Sequence, residues 1–484
     1  MIKGEIVQIT KLLDKLYSIP AIGNKLHSCF VNMIASLRED LWCYVEAPYV
    51  DRIYRDAYYN FYSSKLEDYN RNCLRVSFFD HEIKPEMFFS KDGHERLSKL
   101  FVGFTVIRLL PSDKNPGRTA LSPRALKRND FICELAPIPV SVGGVKLLVE
   151  AFPFSSQDGE CMTCAETSIW AVMEYFGNKY PEVKLVLPSE IQKAFQHSTR
   201  TLPSEGLTVL EIASALTNFG FGTYLYSRKV DDSGIENPTD AENFRRTLFY
   251  YIESGIPIVV GLKGKQVGHA VVAIGHEETA FSEMLNQINH ELLPKSINNI
   301  VDTADLRRKL IFIDDNFPPY QPSDFAKPCT YYTDPRFTDC AIDHFVVPLN
   351  HRIYLDARKA SQLLSEVIEH PSIGWKSLST KKNLPVIKRI FLTSSNSYKS
   401  MVLQSDMHIK LKQVFQALLL PKFVWIAELS TPDIYLEAKA CGLILLDATG
   451  SYRLESIKML LYPGVTDFDF GNFSIYRNNL KGAL

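Results

Sequence analysis

The stretch that most constrains this chain is the start of a helix near residue 164. Thr163 and Glu166 have the spacing of a capping box, in which each residue satisfies a free backbone amide of the other. Apolar residues then recur at helical spacing, at Ala165, Ile169, Val172, Met173 and Phe176. This pattern predicts an amphipathic helix that begins at Cys164 and ends at Gly177. Because free amides and the helix dipole favour an anion there, we expect Cys164 to form a thiolate.

The residues around this helix start resemble the active site of a known class of enzymes. Gly159, Cys161, Cys164 and Ser168 have the spacing found in papain-like cysteine peptidases. The helix also ends in Tyr175-Phe176-Gly177, which is similar to the end of the nucleophile helix in bacteriocin-processing (double-glycine leader) peptidases. The resemblance covers the middle of the chain and implies that Cys164 is a nucleophile. Cys161 takes that role only if the helix starts a turn earlier.

A histidine at the start of a strand is the predicted general base. His269 follows Gly268 and opens an apolar run that ends at Gly275. A cysteine nucleophile needs such a histidine within hydrogen-bond reach, and this run is similar to the histidine strand of the resembling families. A strand-end histidine can also be purely structural, so the pair Asp343 and His344 is kept as a reserve acid and base.

Two aspartates follow the next predicted strand, and one of them is expected to orient the histidine. Asp314 and Asp315 end the run 310–313, and neighbouring strand residues face opposite sides, so only one should face His269. The leader-peptidase pattern often ends this strand in Asn-Asp-Pro, which implies that Asp315 is the catalytic aspartate. Asp314 takes the role if the strand ends one residue earlier, and Asn316 is a further, papain-style candidate.

The oxyanion donors implied by the resemblance are Gln157 and the backbone amide of Cys164. In the resembling families this glutamine usually lies six residues before the nucleophile. Here Gln157 lies seven residues before Cys164, and Asp158 occupies the sixth position. A one-residue bulge would absorb the offset, and the alternative is an ordinary loop glutamine. The implied mechanism requires no metal and no cofactor.

Two other motifs are similar to those of metal and nucleotide sites. Cys161 and Cys164 form a CxxC pair, but a zinc ribbon needs a second pair, and Cys329 with Cys340 are not spaced as one. The segment 261–265 is similar to a phosphate loop but lacks its spacing and the Ser or Thr after the lysine. Neither motif therefore predicts a metal or nucleotide site.

The order of elements predicts an α+β fold. Capped helices are expected from 164, 208 and 239, and strands follow over 256–262, 268–275 and 309–315. This layout is the one that the resemblance implies, namely a papain-like core with the nucleophile helix packed on an antiparallel sheet.

Three domains are expected for a chain of 484 residues. An N-terminal domain that is helical and then β-rich spans 1–140, the peptidase-like domain spans 141–350, and a mixed α/β domain spans 351–484. Within the middle domain, the long segment between His276 and Arg308 is predicted to be a lid or a partner surface.

Charge and composition exclude several classes of protein. Lys and Arg number 54 and Asp and Glu 55, so the net charge of -1 argues against a chain built to hold nucleic acid or an anionic membrane. No apolar run is long enough to span a membrane, and the start has no signal-peptide core. Nine scattered cysteines are typical of reduced thiols, so we expect a cytoplasmic protein.

These features favour a cysteine peptidase that cleaves a peptide or isopeptide bond in a peptide or protein substrate. Two alternatives stay open at this point. The same residues can run transglutamination, deamidation or another acyl transfer. The chain can also be a catalytically inactive papain-like binding module, whose flanking domains bind a protein partner.

Overall fold

The computed structural model describes residues 3–23, 26–195, 207–230, 236–279, 283–284, 286–287, 299–370, 373, 385–450 and 456–482. In this part of the chain, helices join two seven-stranded sheets, a five-stranded sheet and a two-stranded pair. Almost all strand pairs are antiparallel. The predicted α+β class is therefore confirmed.

The first sheet occupies the N-terminal part of the chain. Its strands are β1 (Lys3–Gln8), β2 (Trp42–Tyr49), β3 (Cys73–Phe79), β4 (Phe101–Arg108), β5 (Pro116–Leu121), β7 (Ala136–Val142) and β8 (Val145–Phe154). They are ordered β1-β2-β3-β4-β5-β8-β7. The helices that accompany it are α1 (Leu12–Tyr17), α2 (Ser28–Ser36), α3 (Arg52–Asn60) and α4 (Lys91–Leu100). The β7-β8 hairpin belongs to this sheet, which therefore extends beyond the predicted boundary at residue 140.

All strands of the second sheet except β6 follow the helix of the predicted nucleophile, α5 (Cys164–Lys179). Its strands are β6 (Phe131–Cys133), β9 (Phe221–Ser227), β10 (Ile258–Lys263), β11 (Gly268–Glu277), β13 (Leu310–Ile313), β14 (Gln321–Ser323) and β15 (Ala341–Asn350). The order is β14-β13-β11-β10-β15-β9, and β6 pairs with β11. The helices around it are α6 (Pro188–Ala194), α7 (Val209–Asn218) and α8 (Pro238–Glu253).

The sequence predicts caps for α7 and α8, and one of the two is confirmed. The Thr208 side chain caps α7 by accepting the Glu211 amide, as predicted. The predicted cap of α8 at Thr239 is wrong, because Asn237 accepts the Thr239 amide and the helix begins with proline at its first position.

The third sheet is mainly C-terminal. Its strands are β12 (Ile300–Asp302), β16 (Val386–Ser394), β17 (Phe423–Ser430), β19 (Gly442–Asp447) and β20 (Ile457–Leu461), in the order β12-β16-β17-β19-β20. The helices are α9 (Ala357–Glu369), α10 (Ser395–Gln404), α11 (Ile409–Ala417) and α12 (Pro432–Leu436), and β18 (Lys439–Ala440) pairs with β21 (Phe473–Ser474). Among the described residues, no helix is both long and apolar enough to cross a membrane.

The segment predicted as a lid between the second sheet's strands is partly a structural element of the third sheet. Ile300–Asp302 forms β12 and pairs in parallel with β16. This part of the segment is therefore an edge strand rather than a lid, because its backbone amides and carbonyls find partners in β16. Residues 280–282, 285 and 288–298 of the same prediction lie outside the described residues.

A buried group of charges joins the second and third sheets. Glu253, at the end of α8, pairs with Arg389 at 3.1 Å, Arg308 at 3.0 Å and His276 at 3.0 Å, and Arg389 also pairs with Glu428 at 3.0 Å. Burial opposes the charge of Glu253, but Arg389 and the other neighbours hold the pKa of this carboxyl well below its ordinary value. Arg389 therefore compensates two buried carboxylates.

We expect Arg389→Met to lower the free energy of unfolding by about 3–5 kcal/mol, because it leaves Glu253 and Glu428 without their shared cation. Urea unfolding followed by intrinsic fluorescence measures the change. The matched control is Arg336→Met, which removes an exposed pair with Asp334 and should have little effect. Equal losses in the two variants would contradict the role of Arg389.

Candidate active site

Cys164 is the first residue of α5, as predicted. The backbone amide of Thr163 donates to Glu166 Oε2 at 2.9 Å, which closes the predicted capping box. Cys164 is half-buried, whereas the next twelve residues of the helix are buried. The thiol therefore lies where the helix emerges from the core, beside backbone amides that favour a negative charge.

Asp158 holds the loop that precedes the helix. Its Oδ1 accepts backbone amides at 2.8–3.0 Å from three residues of the loop, Glu160, Cys161 and Met162. Its Oδ2 pairs with the buried Arg108 at 3.3 Å, and Arg108 also donates to the carbonyls of Ser156 and Gln157. The residue at the position where the resembling families have glutamine is therefore a structural anchor in this chain.

A hydrogen bond joins the N-terminal part of α5 to the start of β11. The Ser168 hydroxyl donates to the carbonyl of Ala270 at 3.3 Å. Ser168 lies one turn after Cys164 on the same helix face, and Ala270 directly follows His269. This bond holds the N-terminal part of α5, and with it Cys164, beside the start of the strand that carries His269. Cys164 also helps to raise the pKa of His269, after the larger effect of Asp314.

His269 pairs with Asp314 rather than with Asp315, which was the first choice from the sequence. The distance from His269 Nε2 to Asp314 Oδ1 is 3.0 Å, and to Asp315 Oδ1 it is 3.7 Å. The order is reversed because β13 already ends at Ile313. Beyond that residue the alternation of a strand no longer applies, and both carboxylates turn towards the same ring nitrogen.

Asp314 is the better-supported carboxylate of the two. Its Oδ1 accepts the amide of Asn316 at 3.0 Å, and its Oδ2 accepts the hydroxyls of Tyr331 and Tyr332, each at 2.8 Å. Burial opposes ionisation, but His269 and these donors lower the pKa of Asp314. Burial likewise disfavours a charged imidazole, but the Asp314 carboxylate overcomes it and raises the pKa of His269 well above its ordinary value.

Asp315 has a different environment. Its side chain is 4% exposed, and neither carboxylate oxygen has a hydrogen-bond partner in the described part of the chain. Burial raises the pKa of Asp315 to about 7, against the opposing effect of His269. The structure therefore places one ionised and one weakly acidic carboxyl beside the same imidazole.

Gln157 joins the same group of residues. Its Nε2 donates to Asn316 Oδ1 at 2.6 Å, and Asn316 Nδ2 donates to the Tyr332 hydroxyl at 3.2 Å. Asn316, the papain-style candidate for orienting the histidine, therefore orients Gln157 instead. Because an amide nitrogen carries two hydrogens, Gln157 keeps one donor for a further acceptor.

The alternative nucleophile, Cys161, and the alternative base, His344, have different surroundings from Cys164 and His269. Cys161 is 1% exposed, accepts from Gln192 Nε2 at 3.2 Å, and has its pKa raised to about 12 by burial. His344 packs over Gly261 in β10 and pairs with Asp343 at 3.2 Å. His269 is itself buried, and Cys164 is among the groups that raise its pKa, after Asp314.

The sequence predictions missed three residues that build the site. Arg108 anchors the loop before Cys164, and Tyr331 with Tyr332 hold Asp314. The tyrosines lie 17 and 18 residues after Asp314, in a loop without a recognisable motif. The two tyrosines are neighbours in the sequence, but no local pattern connects them to Asp314.

Comparison with known proteins adds no relative. Neither a scan against models of known protein families nor a search of curated proteins finds a match to this chain. The chemistry of the site therefore has to be inferred from its geometry.

Which of the two aspartates supports His269 can be tested through the reactivity of the Cys164 thiol. We expect Asp314→Asn to slow alkylation of Cys164 by iodoacetamide at neutral pH by about tenfold to a hundredfold. The reason is that a charge-assisted hydrogen bond to the imidazolium is worth about 1.5–3 kcal/mol. The second-order rate constant is the measured quantity.

Asp315→Asn is the matched control for this comparison, and we expect it to have the smaller effect. A larger loss in Asp315→Asn than in Asp314→Asn would restore the order that the sequence favoured.

Proposed function

We propose that this protein is a papain-like cysteine hydrolase that cleaves a peptide or isopeptide bond. The observation that carries the proposal is that the helix with Cys164 at its N-terminus is hydrogen-bonded to the start of β11, where a buried carboxylate holds His269. Thiol catalysis requires a nucleophile, a base beside it, and a group that orients the base. Their arrangement on one helix and one antiparallel sheet supports a papain-like core.

The first half of the proposed reaction forms a thioester. The Cys164 thiolate attacks the carbonyl carbon, a carbon–sulfur bond forms, and the carbonyl electron pair moves onto oxygen. The Cys164 amide and the unused hydrogen of Gln157 stabilise this oxyanion. His269 then gives its proton to the leaving nitrogen as the carbon–nitrogen bond breaks. Because Asp314 engages Nε2, Nδ1 is the ring nitrogen left for this transfer.

The second half regenerates the enzyme. His269 takes a proton from water, and the resulting hydroxide attacks the thioester carbonyl. The carbon–sulfur bond breaks, the acid product leaves, and the sulfur returns to the thiolate paired with imidazolium. Asp314 remains ionised throughout and holds the ring, which is the role of the third residue in such triads.

The N-terminal part of the chain supports the site and, in this proposal, helps to bind the substrate. The Tyr69 hydroxyl donates to Glu160 at 2.9 Å, in the loop before Cys164. On α2, the buried Cys29 lies close enough to Asp314 and Asp315 for their charges to raise its pKa, after burial itself. A peptide or protein substrate would therefore contact both parts of the chain. The nine free cysteines favour a reducing compartment, and we place the protein in the cytoplasm.

The role of the thiol predicts the outcome of a labelling experiment. We expect a fluorescent electrophile that mimics an acyl substrate to label the wild type rapidly and Cys164→Ala hardly at all. The cause is that Cys164 lies at a helix N-terminus and is half-buried, whereas the other eight cysteines are buried. In-gel fluorescence and intact mass measure the label.

Cys161→Ala is the control variant, since this second cysteine of the loop is buried. It should retain the labelling rate of the wild type. Equal labelling of the wild type and Cys164→Ala would refute the proposal.

A peptide library separates hydrolysis from acyl transfer. We expect mass spectrometry to find new peptide termini after treatment with the wild type and none after treatment with Cys164→Ala. A gain of about one mass unit on glutamine without new termini would instead indicate deamidation. No change with either protein would favour the binding module.

A further inference from the structure

His269, Asp314 and Asp315 offer three ligand atoms that converge on one point. One nitrogen or oxygen from each residue lies within 4.8 Å of the other two. The three side chains are at most 4% exposed. We propose that they bind a divalent cation of the zinc type, and that the bound cation blocks the hydrolase.

The spacing of these atoms fits a small cation. Zinc bonds to nitrogen and oxygen are about 2.0–2.1 Å long, so tetrahedral ligands lie about 3.3 Å apart. The distances from His269 Nε2 to the oxygens of Asp314 and Asp315 are 3.0 Å and 3.7 Å, on either side of that value. Small side-chain movements would therefore give each atom a normal bond to one ion.

Asp315 provides an independent reason to expect a ligand. It is buried, its Oδ1 is directed towards His269 Nε2, and neither of its oxygens accepts a hydrogen bond from the residues that the structure describes. A buried carboxylate without a donor is costly, and coordination of a cation removes that cost. Two carboxylates with a neutral imidazole carry two negative charges, which one divalent cation cancels.

The surroundings also resemble those of a metal ligand. Tyr331 and Tyr332 hold Oδ2 of Asp314, so its Oδ1 stays directed towards His269. Such outer hydrogen bonds commonly orient metal-binding carboxylates. One imidazole with two carboxylates suits zinc, manganese or iron(II), whereas calcium and magnesium prefer sites made of oxygen alone.

Occupancy would remove the proton carrier of the proposed reaction, and this step rests on the proposed function. The cation bonds to Nε2 and displaces its proton to solvent, while Nδ1 keeps its hydrogen beside Cys164. The ring then has no lone pair to accept a proton from water, and its remaining N–H is a poor acid for the leaving group. The thioester would therefore not turn over.

Binding is tested on the full chain carrying Cys164→Ser, which removes the thiol as a competing ligand. We expect isothermal titration to show one equivalent of Zn²⁺ bound, and Co²⁺ to give a visible spectrum without a thiolate charge-transfer band. Asp315→Asn in this background should weaken binding at least about tenfold. Asp324→Asn, which changes an exposed aspartate directly after β14, should leave it unchanged.

Three binding outcomes would overturn the site. They are the absence of a bound equivalent, equal affinity in the Asp315→Asn and Asp324→Asn variants, and a thiolate band, which would place the ion on other cysteines. None of these measurements depends on enzymatic activity, so they decide the metal site even if the hydrolase proposal fails.

Inhibition is tested by turnover of a p-nitrophenyl ester with the Cys164-containing protein. We expect one equivalent of Zn²⁺ to stop turnover, EDTA to restore it, and Asp315→Asn to need at least about tenfold more zinc relative to its own basal rate. Full inhibition of Asp315→Asn at the same zinc concentration would show that zinc acts on the thiol and would overturn the regulatory proposal. If the ester is not turned over at all, the proposed function fails, and the binding result stands alone.

Discussion

The burial of α5 on all sides is the constraint on which the rest of the structure depends. The helix packs against the β7-β8 hairpin of the first sheet and against β10 and β11 of the second. Even its charged Glu174 is buried, because Arg52 and Arg118 pair with it at 2.6 Å and 3.1 Å. A helix held from both sides cannot rotate or slide without breaking these contacts. Its first residue, Cys164, therefore has a fixed position near the start of β11, and the proposed role of Cys164 depends on that position.

Local signals predicted the parts of the site that local interactions build. The capping box between Thr163 and Glu166 joins residues three apart, and the apolar or small residues 270–275 after His269 form most of β11. The start of α5 and the position of His269 at the start of a strand could therefore be predicted from the sequence. The prediction of a single apolar face on α5 is too narrow, because a second sheet covers the other side and a sequence pattern cannot show that.

Non-local pairing decided the features that the sequence left open or assigned differently. β13 ends at Ile313 because its partners are set by β11 on one side and β14 on the other. That end determines which aspartate meets His269, and nothing within the aspartate pair itself reveals it. The offset of Gln157 has a similar cause. Asp158 holds three amides of the loop, and the glutamine one residue earlier reaches a different loop at Asn316.

The contrast between Asp314 and Asp315 gives the site its chemical asymmetry. Asp314 accepts four hydrogen bonds and is stabilised as an anion, so it provides the permanent charge that an imidazolium needs. Asp315 is similarly buried, but neither of its oxygens accepts a hydrogen bond from the described residues, so its charge needs a neutralising partner. A charged His269 neutralises it in part, and a proton or a metal ion would do so more fully. Neighbouring carboxyls whose environments separate their pKa values commonly divide roles in this way. In the proposed reaction this asymmetry leaves Asp314 to hold His269 while the ring carries a proton, and in the proposed metal site it leaves Asp315 to bind the cation.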